Sequence, residues 1–572
     1  RSSDLVFEET MDASFWDGKR APGVANNLDF EQFSSAIEVI EQAMQNFPDR
    51  KAFTGFGHSL TFREIDQYSA AFTHYLQNHT DLKPGDKIAI QMPNTLQYPI
   101  AMYGAMRAGL VVVNTNPLYT EREMIHQFND SGATALLCMD IFAKSVQNIQ
   151  DQTGVKTVLV TSMGDMLPTL KRWLVNTLIK RVKKMVPAYH LPEAISFRQI
   201  LKENLGKGFT PAHLANPEDT IVLQYTGGTT GVSKGAELTN GNLIANMLQA
   251  AELLHQEDGK GNRIFDTTEA NVVAPLPLYH IYSFTVHLMA FVHLGVHSIL
   301  IANPRDTNLF IKAIKSWKLS GFIGLNTLFV SLMNHPEFKK LDFSKLVFTL
   351  SGGTALATDT SARWKEMTGC SISEAYGLTE TSPAACMNPL NGFERVGTVG
   401  IPLQGTAVKC IDDQENEVAI GERGELCIKG PQVMKGYWQN EQATKDTFTS
   451  DGEWLKTGDV AIIDEDGFVS IVDRIKDMII VSGFNVYPNE IEDVLSQHPD
   501  VENCAAIGVA DDRSGETVKV FIVAKGDKQL SIDEIKEFCR EHLTAYKLPR
   551  KVEYRDELPM TPVGKILRRE LR

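Results

Sequence analysis

Residues 224–240, QYTGGTTGVSKGAELTN, gather the residue types that hold an anion. Backbone N–H groups of a glycine-rich turn can wrap a phosphate. Thr226, Thr229 and Thr230 add hydroxyl donors, and Lys234 adds a positive charge. Two known patterns come close. Gly231, Ser233 and Gly235 satisfy G-x-S-x-G, the nucleophile elbow of serine hydrolases. Residues 228–235 approach the P-loop G-x-x-x-x-G-K-[ST], but Ser233 precedes the lysine and Gly235 follows it. Ser233 comes late, after most of the glycines, which is a poor place for an elbow serine. A plain surface loop is the third reading. The preceding DTIVLQY reads as a strand, and Thr239 as the cap of a helix from about Asn240, so the predicted order is strand, loop, helix.

Other polar residues sit on short turns further along. SEAYGLTET (373–381) places Tyr376, Thr379 and Glu380 together, and EWLKTGDVA (453–461) presents Asp459 after a Thr-Gly turn. Residues 472–492, VDRIKDMIIVSGFNVYPNEIE, carry Arg474, Lys476 and Gly483, and PMTPVGKILRREL (559–571) puts Lys565 on a Pro/Gly turn. His280 stands among apolar residues in PLPLYHIYSF (275–284). Each taken alone also reads as a surface turn, a solvated lysine or a packed core ring.

The elements that must position these groups are α/β. DKIAIQMPN and GLVVVNTNP read as buried strands, with LQYPIAMYGAMRAG between them as a helix stopped at Gly109. ATALLCMD, VKTVLVTS and HSILIANP continue the alternation, which predicts parallel sheets covered by helices. From Gly397 the texture changes to short strands and turns, predicting a small β subdomain over 397–475. Past Lys476 a compact α+β unit follows. The expected domains are therefore 1–475 and 476–572.

Composition narrows the partners. The 572 residues carry a net charge of -15, so general nucleic-acid binding is unfavourable and an anionic ligand needs a local site. Seven scattered cysteines with no C-x-x-C pair argue for a reducing, cytoplasmic setting and against a zinc site. The first twenty residues lack the basic start and apolar core of a signal peptide, and Arg1 at the first position implies that the numbering starts inside a longer product. The apolar run 284–302 is broken by His287, His293, Gly295 and His297, and reads as a buried helix and strand rather than a membrane span.

Taken together and in this order, the glycine-rich loop, SEAYGLTET, EWLKTGDVA, VDRIKDMIIVSGFNVYPNEIE and PMTPVGKILRREL resemble the adenylate-forming superfamily of acyl-CoA synthetases. Within it, LQYTGGTTGVSKGA, PLPLYHIYSF, VSGFNVYPNEIEDV and GKILRREL make the chain most similar to bacterial long-chain fatty-acid–CoA ligases, over about residues 30–572. Three positions depart from the usual pattern: Ser233 stands for a common proline, Asn240 for a common histidine and Val563 for a common threonine. None removes a charged group.

The resemblance implies ATP-dependent activation of a fatty acid through an acyl-adenylate, with ATP and coenzyme A as co-substrates and Mg²⁺ as cofactor. It implies that Thr226, Gly227, Gly228, Thr229, Thr230 and Lys234 hold the β- and γ-phosphates. Glu380, with Thr230, would bind Mg²⁺, and Thr379 would touch the α-phosphate. Tyr376 would stack on adenine opposite a wall of Gly352, Gly353 and Thr354. Asp459 would accept the ribose hydroxyls, supported by Arg474. Lys565 would bridge the carboxylate and α-phosphate, and His280 would lie beside the acyl carboxylate. The small C-terminal domain would rotate about Lys476, presenting Lys565 for the first half-reaction and the Gly483 loop for the second. The apolar segment 322–332 would line the acyl pocket. An aryl or medium-chain ligase, or a non-catalytic acyl or nucleotide binder, are the alternatives.

Residues 170–187, LKRWLVNTLIKRVKKMVP, hold six lysines and arginines and no acid. At helical spacing Leu170, Leu174, Val175, Leu178, Ile179, Val182 and Met185 share one broad face. This predicts either a helix packed on the core or a peripheral contact with an anionic membrane on its cytoplasmic face. A monomer and a homodimer both fit the sequence.

Overall fold

The computed structural model describes residues 13–572 apart from 213, 227–232, 391, 512, 527 and 562–563. Among the described residues the strands form four sheets. One sheet of eight strands runs from Gly436–Tyr437 through Lys234–Thr239, Thr220–Thr226, Val111–Thr115, Lys87–Gln91, Ala133–Met139 and Thr157–Thr161 to Ile195–Ser196. Its middle is parallel, as the alternating strands and helices predict. A nine-stranded sheet contains Asn271–Ala274, Gly321–Gly324, Phe348–Gly352 and Ile372–Gly377 side by side and parallel. Parallel strands buried on both faces favour continuous apolar runs, as in Val111–Thr115 and Asn271–Ala274, whereas Ile372–Gly377 is mixed and only partly buried where it carries Tyr376.

A four-stranded antiparallel sheet follows, in the order Ala407–Ile411, Arg423–Lys429, Leu455–Ile463, Val469–Arg474. It is narrower than the 397–475 span expected for it. Ile401–Pro402 closes the edge of the nine-stranded sheet instead, and Gly436–Tyr437 reaches back to the eight-stranded one. The C-terminal unit packs Pro488–Ser496 and Ile532–Arg540 against a five-stranded sheet around Gly515–Ala524. Pro488 stands at the start of its helix, where its missing N–H costs nothing, and Ser531 and Glu534 form a capping box on the other. Ile475–Asp477 is a short 3₁₀ turn joining this unit to the rest.

Residues 284–302 form a buried helix, with a π-turn at Val286–Ala290, and the strand His297–Leu300. Among the described residues no helix is long and apolar enough to cross a membrane.

Candidate active site

The glycine-rich loop is placed differently from the strand–loop–helix order. Strand Thr220–Thr226 leads into it and strand Lys234–Thr239 leads out, antiparallel, with Thr226 opposite Lys234. The helix Asn240–Glu252 begins only after this second strand, capped by Thr239. The described residues that flank the loop are thus two paired antiparallel strands, and no helix N-terminus directly follows it. Gly227, Gly228, Thr229 and Thr230 lie outside the described residues. Ser233 does not sit on a strand-to-helix turn; its carbonyl lies 2.8 Å from His126 Nε2, and the elbow reading has no geometry to stand on.

The exit of this hairpin meets a residue that the sequence reading missed. Tyr437, on the two-residue strand paired with Lys234–Thr239, donates from Oη to Glu380 Oε1 at 2.6 Å. Lys234 Nζ lies 4.9 Å from the centre of the same ring. One tyrosine thus connects the loop lysine to the expected metal carboxylate. Glu380 and Thr379 share the short turn Thr379–Thr381, which the Met434 N–H pins through the Glu380 carbonyl. A two-residue edge strand carries no periodic signal, so only the resemblance of nearby motifs could have pointed there.

The second cluster surrounds Asp459, which is 3% exposed. Strands Leu455–Ile463 and Val469–Arg474 place Asp459 directly opposite Arg474. Arg474 Nε lies 3.1 Å from Asp459 Oδ1, and Tyr376 Oη donates to Oδ2 at 2.6 Å. A carboxylate offers about four lone-pair sites, so both oxygens retain capacity for two further donors. Burial and the adjoining Asp459 carboxylate hold the Tyr376 phenol well above its ordinary range, so it stays a donor. On the neighbouring strand, Phe348–Gly352 ends at Gly352, opposite Ala375, and is followed by Gly353 at φ +87°. A Cβ on Gly352 would lie 3.2 Å from the Ala375 carbonyl and 3.3 Å from the Tyr282 ring, a tight fit that glycine avoids. The hydroxyls of Ser351, Thr354 and Tyr282 are buried here without a protein partner. Buried orphan hydroxyls are uncommon in finished cores and fit a wall meant for a polar ligand.

His280 caps its own short helix, with Nδ1 accepting from the Tyr282 N–H at 3.3 Å. The ring keeps some surface contact but is enclosed by protein, and that desolvation pushes its pKa down to about 4. It is neutral near pH 7, and with Nδ1 an acceptor its proton sits on Nε2. The adjoining Tyr279 carbonyl accepts from Gln224, two residues before Thr226. His280 therefore lies between the strand feeding the loop and the Gly352 wall.

Lys565 arrives from the C-terminal unit. Its turn is closed by Thr561, whose N–H bonds the Lys565 carbonyl at 2.7 Å and whose Oγ1 accepts the Lys565 N–H at 3.0 Å. The turn docks on the large domain so tightly that a Cβ on Gly564 would lie 2.8 Å from Leu325 Cδ1 and 2.9 Å from Thr327 Oγ1. Burial first, then Arg474, push the Lys565 pKa down to about 8, while Asp459 opposes the shift. Lys565 thus shares one electrostatic neighbourhood with Asp459 and Arg474. Gly483 is not brought there. It occupies a tight turn with Ser482, both at positive φ, and nothing lies within 4 Å of where its Cβ would be. Beyond it Phe484 stacks on Tyr546 with ring centres 4.7 Å apart.

Two further groups at the joint between the units escaped the sequence reading. Asp473 accepts from the N–H groups of Arg474 and Asn489, tying strand Val469–Arg474 to the first turn of Pro488–Ser496, and burial pushes its pKa up to about 6. Arg568 bridges Asp477, Asn489 and Glu492.

The expected acyl wall 322–332 is largely core. Phe322 and Phe329 are fully buried and pack on Trp364 at 5.2 and 4.7 Å, among Phe310, Phe338 and Leu332. Ile323, Leu325 and Thr327 of this segment reach the other side, Leu325 and Thr327 against Gly564.

Comparison with known proteins places this arrangement. Residues 40–438 match the family model described as AMP-binding enzyme, and 490–565 match the AMP-binding enzyme C-terminal domain. A long-chain-fatty-acid–CoA ligase of Salmonella typhimurium is 47% identical over 561 residues, spanning 97% of both chains. That of Escherichia coli O157:H7 is 46% identical over 557 residues, again 97% of each. The crystal structure of the anthranilate CoA ligase AuaEII with anthranoyl-AMP superposes with a TM-score of 0.83 at 24% identity, covering 95% of this chain and 98% of that one, a likeness of fold. The chain belongs to the AMP-binding enzyme family.

Proposed function

We propose that this protein is an AMP-forming long-chain fatty-acid–CoA ligase. The observation that carries the reading is the convergence of Tyr376, Asp459, Arg474 and Lys565, brought from two sheets and a turn of the C-terminal unit to one place. The near full-length likeness to ligases of that name supports the substrate class.

In the first half-reaction a carboxylate oxygen of the acid bonds to the α-phosphorus of ATP. The bond from that phosphorus to the bridging oxygen breaks, and pyrophosphate leaves. Asp459 fixes the ribose while Tyr376 lies along the base, opposite Gly352, Gly353 and Thr354. Lys565 lies where negative charge builds between carboxylate and phosphate, and a preorganised cation there contributes several kcal/mol, roughly. Burial and Arg474 lower its pKa, and the negative charge of the bound substrates would hold its proton in place. His280 offers a proton on Nε2 for hydrogen bonding to the acyl oxygen. In the second half-reaction the coenzyme A sulfur bonds to the acyl carbon, the bond to AMP breaks, and the thiol proton leaves to solvent.

Among the described residues no three His, Cys, Asp or Glu side chains form a metal cage. Mg²⁺ commonly takes one or two carboxylates and completes its shell with phosphates and water. A single carboxylate held by Tyr437 through one oxygen fits that need, so Glu380 would hold Mg²⁺ with Thr230. The ion, when bound, neutralises the leaving pyrophosphate. Peripheral contact of 170–187 with an anionic membrane belongs to the same reading, because long-chain acids dissolve in bilayers.

The test is pyrophosphate release with Mg-ATP and oleate, octanoate, benzoate or no acid. Release with oleate, and oleoyl-CoA plus AMP once coenzyme A is added, is the expected result. Release with benzoate or octanoate alone assigns another acid class. No release with any acid identifies a binder.

A further inference from the structure

The segment 170–187 forms the helix Thr169–Thr177 and a π-turn, Leu178–Val182. Neither element contains a buried residue. Its large apolar side chains face solvent: Leu170 is 72% exposed, Trp173 63%, and Val182 68%, with Leu174, Leu178 and Met185 about half exposed. These follow helical spacing, so they make one stripe. The π-turn advances each residue by less than an α-turn does, which keeps Val182 in line with Leu178.

The opposite face is fastened to the protein. Asn176 accepts the Gly164 N–H at 2.8 Å and donates to Asp165 Oδ1 at 3.1 Å, while a Cβ on Gly164 would touch Val175 at 3.3 Å. The stripe therefore points outward from an anchored helix rather than from a loose tail. Lys171, which intrudes on the apolar face in a helical projection, turns aside: its Nζ lies 3.3 Å from the Cβ position of Gly57. That hairpin tip exposes Phe56 beside the helix. Lys180, Arg181, Lys183 and Lys184 are all exposed, and no acid occurs between 170 and 187.

We infer that this helix is a docking element for an anionic lipid bilayer. An exposed apolar stripe rimmed by bases, with an aromatic ring at its border, is the pattern of a helix lying in the headgroup plane. The charge commits the occupant. A second copy of this helix would bring like charges together, whereas anionic headgroups match them. The inference deepens the membrane contact proposed above and does not depend on the chemistry of the site.

Flotation of the full chain with vesicles tests it, without ATP, acid or coenzyme A, so that its failure leaves the ligase reading standing. Binding to vesicles of phosphatidylcholine with 30% phosphatidylglycerol should exceed binding to phosphatidylcholine alone and weaken with salt. Replacing Lys180, Arg181, Lys183 and Lys184 together by Gln should weaken it at least tenfold, since each base near such a surface contributes about a fivefold factor at low salt. Trp173→Ser with Leu174→Ser should weaken it on both lipids. Retained pyrophosphate release from octanoate, or an unchanged melting temperature, shows that the variants are folded. Equal binding of the unaltered protein to both lipids, or undiminished binding of either folded variant, overturns the inference. So does loss of self-association, rather than of lipid binding, in the Ser variant.

Discussion

Tyr437 Oη lies 2.6 Å from Glu380 Oε1, and Lys234 sits over the same ring. The Tyr437 phenol is held well above its ordinary range, first by burial and then by the Glu380 carboxylate, so it donates throughout the working pH range. That bond fixes which oxygen of Glu380 is left for a cation. Tyr437→Phe keeps the ring beneath Lys234 and removes only the hydroxyl. Hydrogen bonds to charged groups are worth about 1.5–3 kcal/mol, so pyrophosphate release at limiting Mg²⁺ should fall roughly tenfold or more. A Mg²⁺ titration of the variant should be displaced to higher concentration, and an unshifted titration would remove Tyr437 from the metal site.

The contrast between Tyr437 and Asp459 shows what the sequence could tell. The parallel strands were legible because apolar runs of four to eight residues, bounded by turn residues, have few other uses. Asp459, Tyr376, Arg474 and Lys565 lie far apart in the chain, and only their resemblance to ordered family motifs brought them together. Tyr437 belongs to no such motif. The hairpin exit of the glycine-rich loop was missed because Lys234–Thr239 is too short and too mixed to display a strand period. The helix at Thr169–Thr177 shows the opposite limit: its periodicity was plain, but periodicity does not say whether an apolar face meets core or solvent.

Phe329 illustrates the same ambiguity, because a pocket wall and a core wall use identical residues. Its burial against Trp364 and Phe322 assigns it to the core. Phe329→Ala should destabilise the protein by about 3–5 kcal/mol through lost burial and a cavity. The ratio of oleate to octanoate activity below the lowered melting temperature should stay constant. A changed chain-length preference with little loss of stability would restore this residue to an acyl tunnel.

Glu374 supplies a pH dependence of stability. It lies two residues before Tyr376, and Asp493 of the C-terminal unit adds a like charge. Burial first, and then Asp493, push its pKa up to about 7, although an N–H bond from Leu356 opposes this. The folded protein thus binds a proton that the unfolded chain releases. The stabilisation is fully present below the ordinary glutamate range near 4.5 and is lost as pH rises through about 7. Glu374→Gln cannot lose that proton. Its melting temperature relative to the unaltered protein should therefore rise between pH 5 and pH 8, and a constant difference would show that the carboxyl is ordinary in the folded state.

Lys565 and Gly483 belong to the same C-terminal unit, yet only the Lys565 turn is docked on the large domain here. One site must first hold a cation over phosphates and then admit a thiol through a narrow path, needs that a single fixed arrangement serves poorly. Rotation about Lys476, in the exposed turn Ile475–Asp477, would exchange the two faces. Lys565→Ala should then abolish pyrophosphate release from oleate and ATP while preformed oleoyl-adenylate and coenzyme A still yield thioester. The pH profile of the first step should also fall above about 8 at low ATP, where the buried lysine loses its proton. Gly483→Leu should do the reverse, because a side chain at φ +83° is strained and would obstruct a backbone approach. Lys476→Pro should slow thioester formation from the docked state by stiffening the turn. Equal loss of both half-reactions in a folded Lys565→Ala protein would mean that the docked arrangement seen here carries both steps, and that the open Gly483 turn has no part in the chemistry.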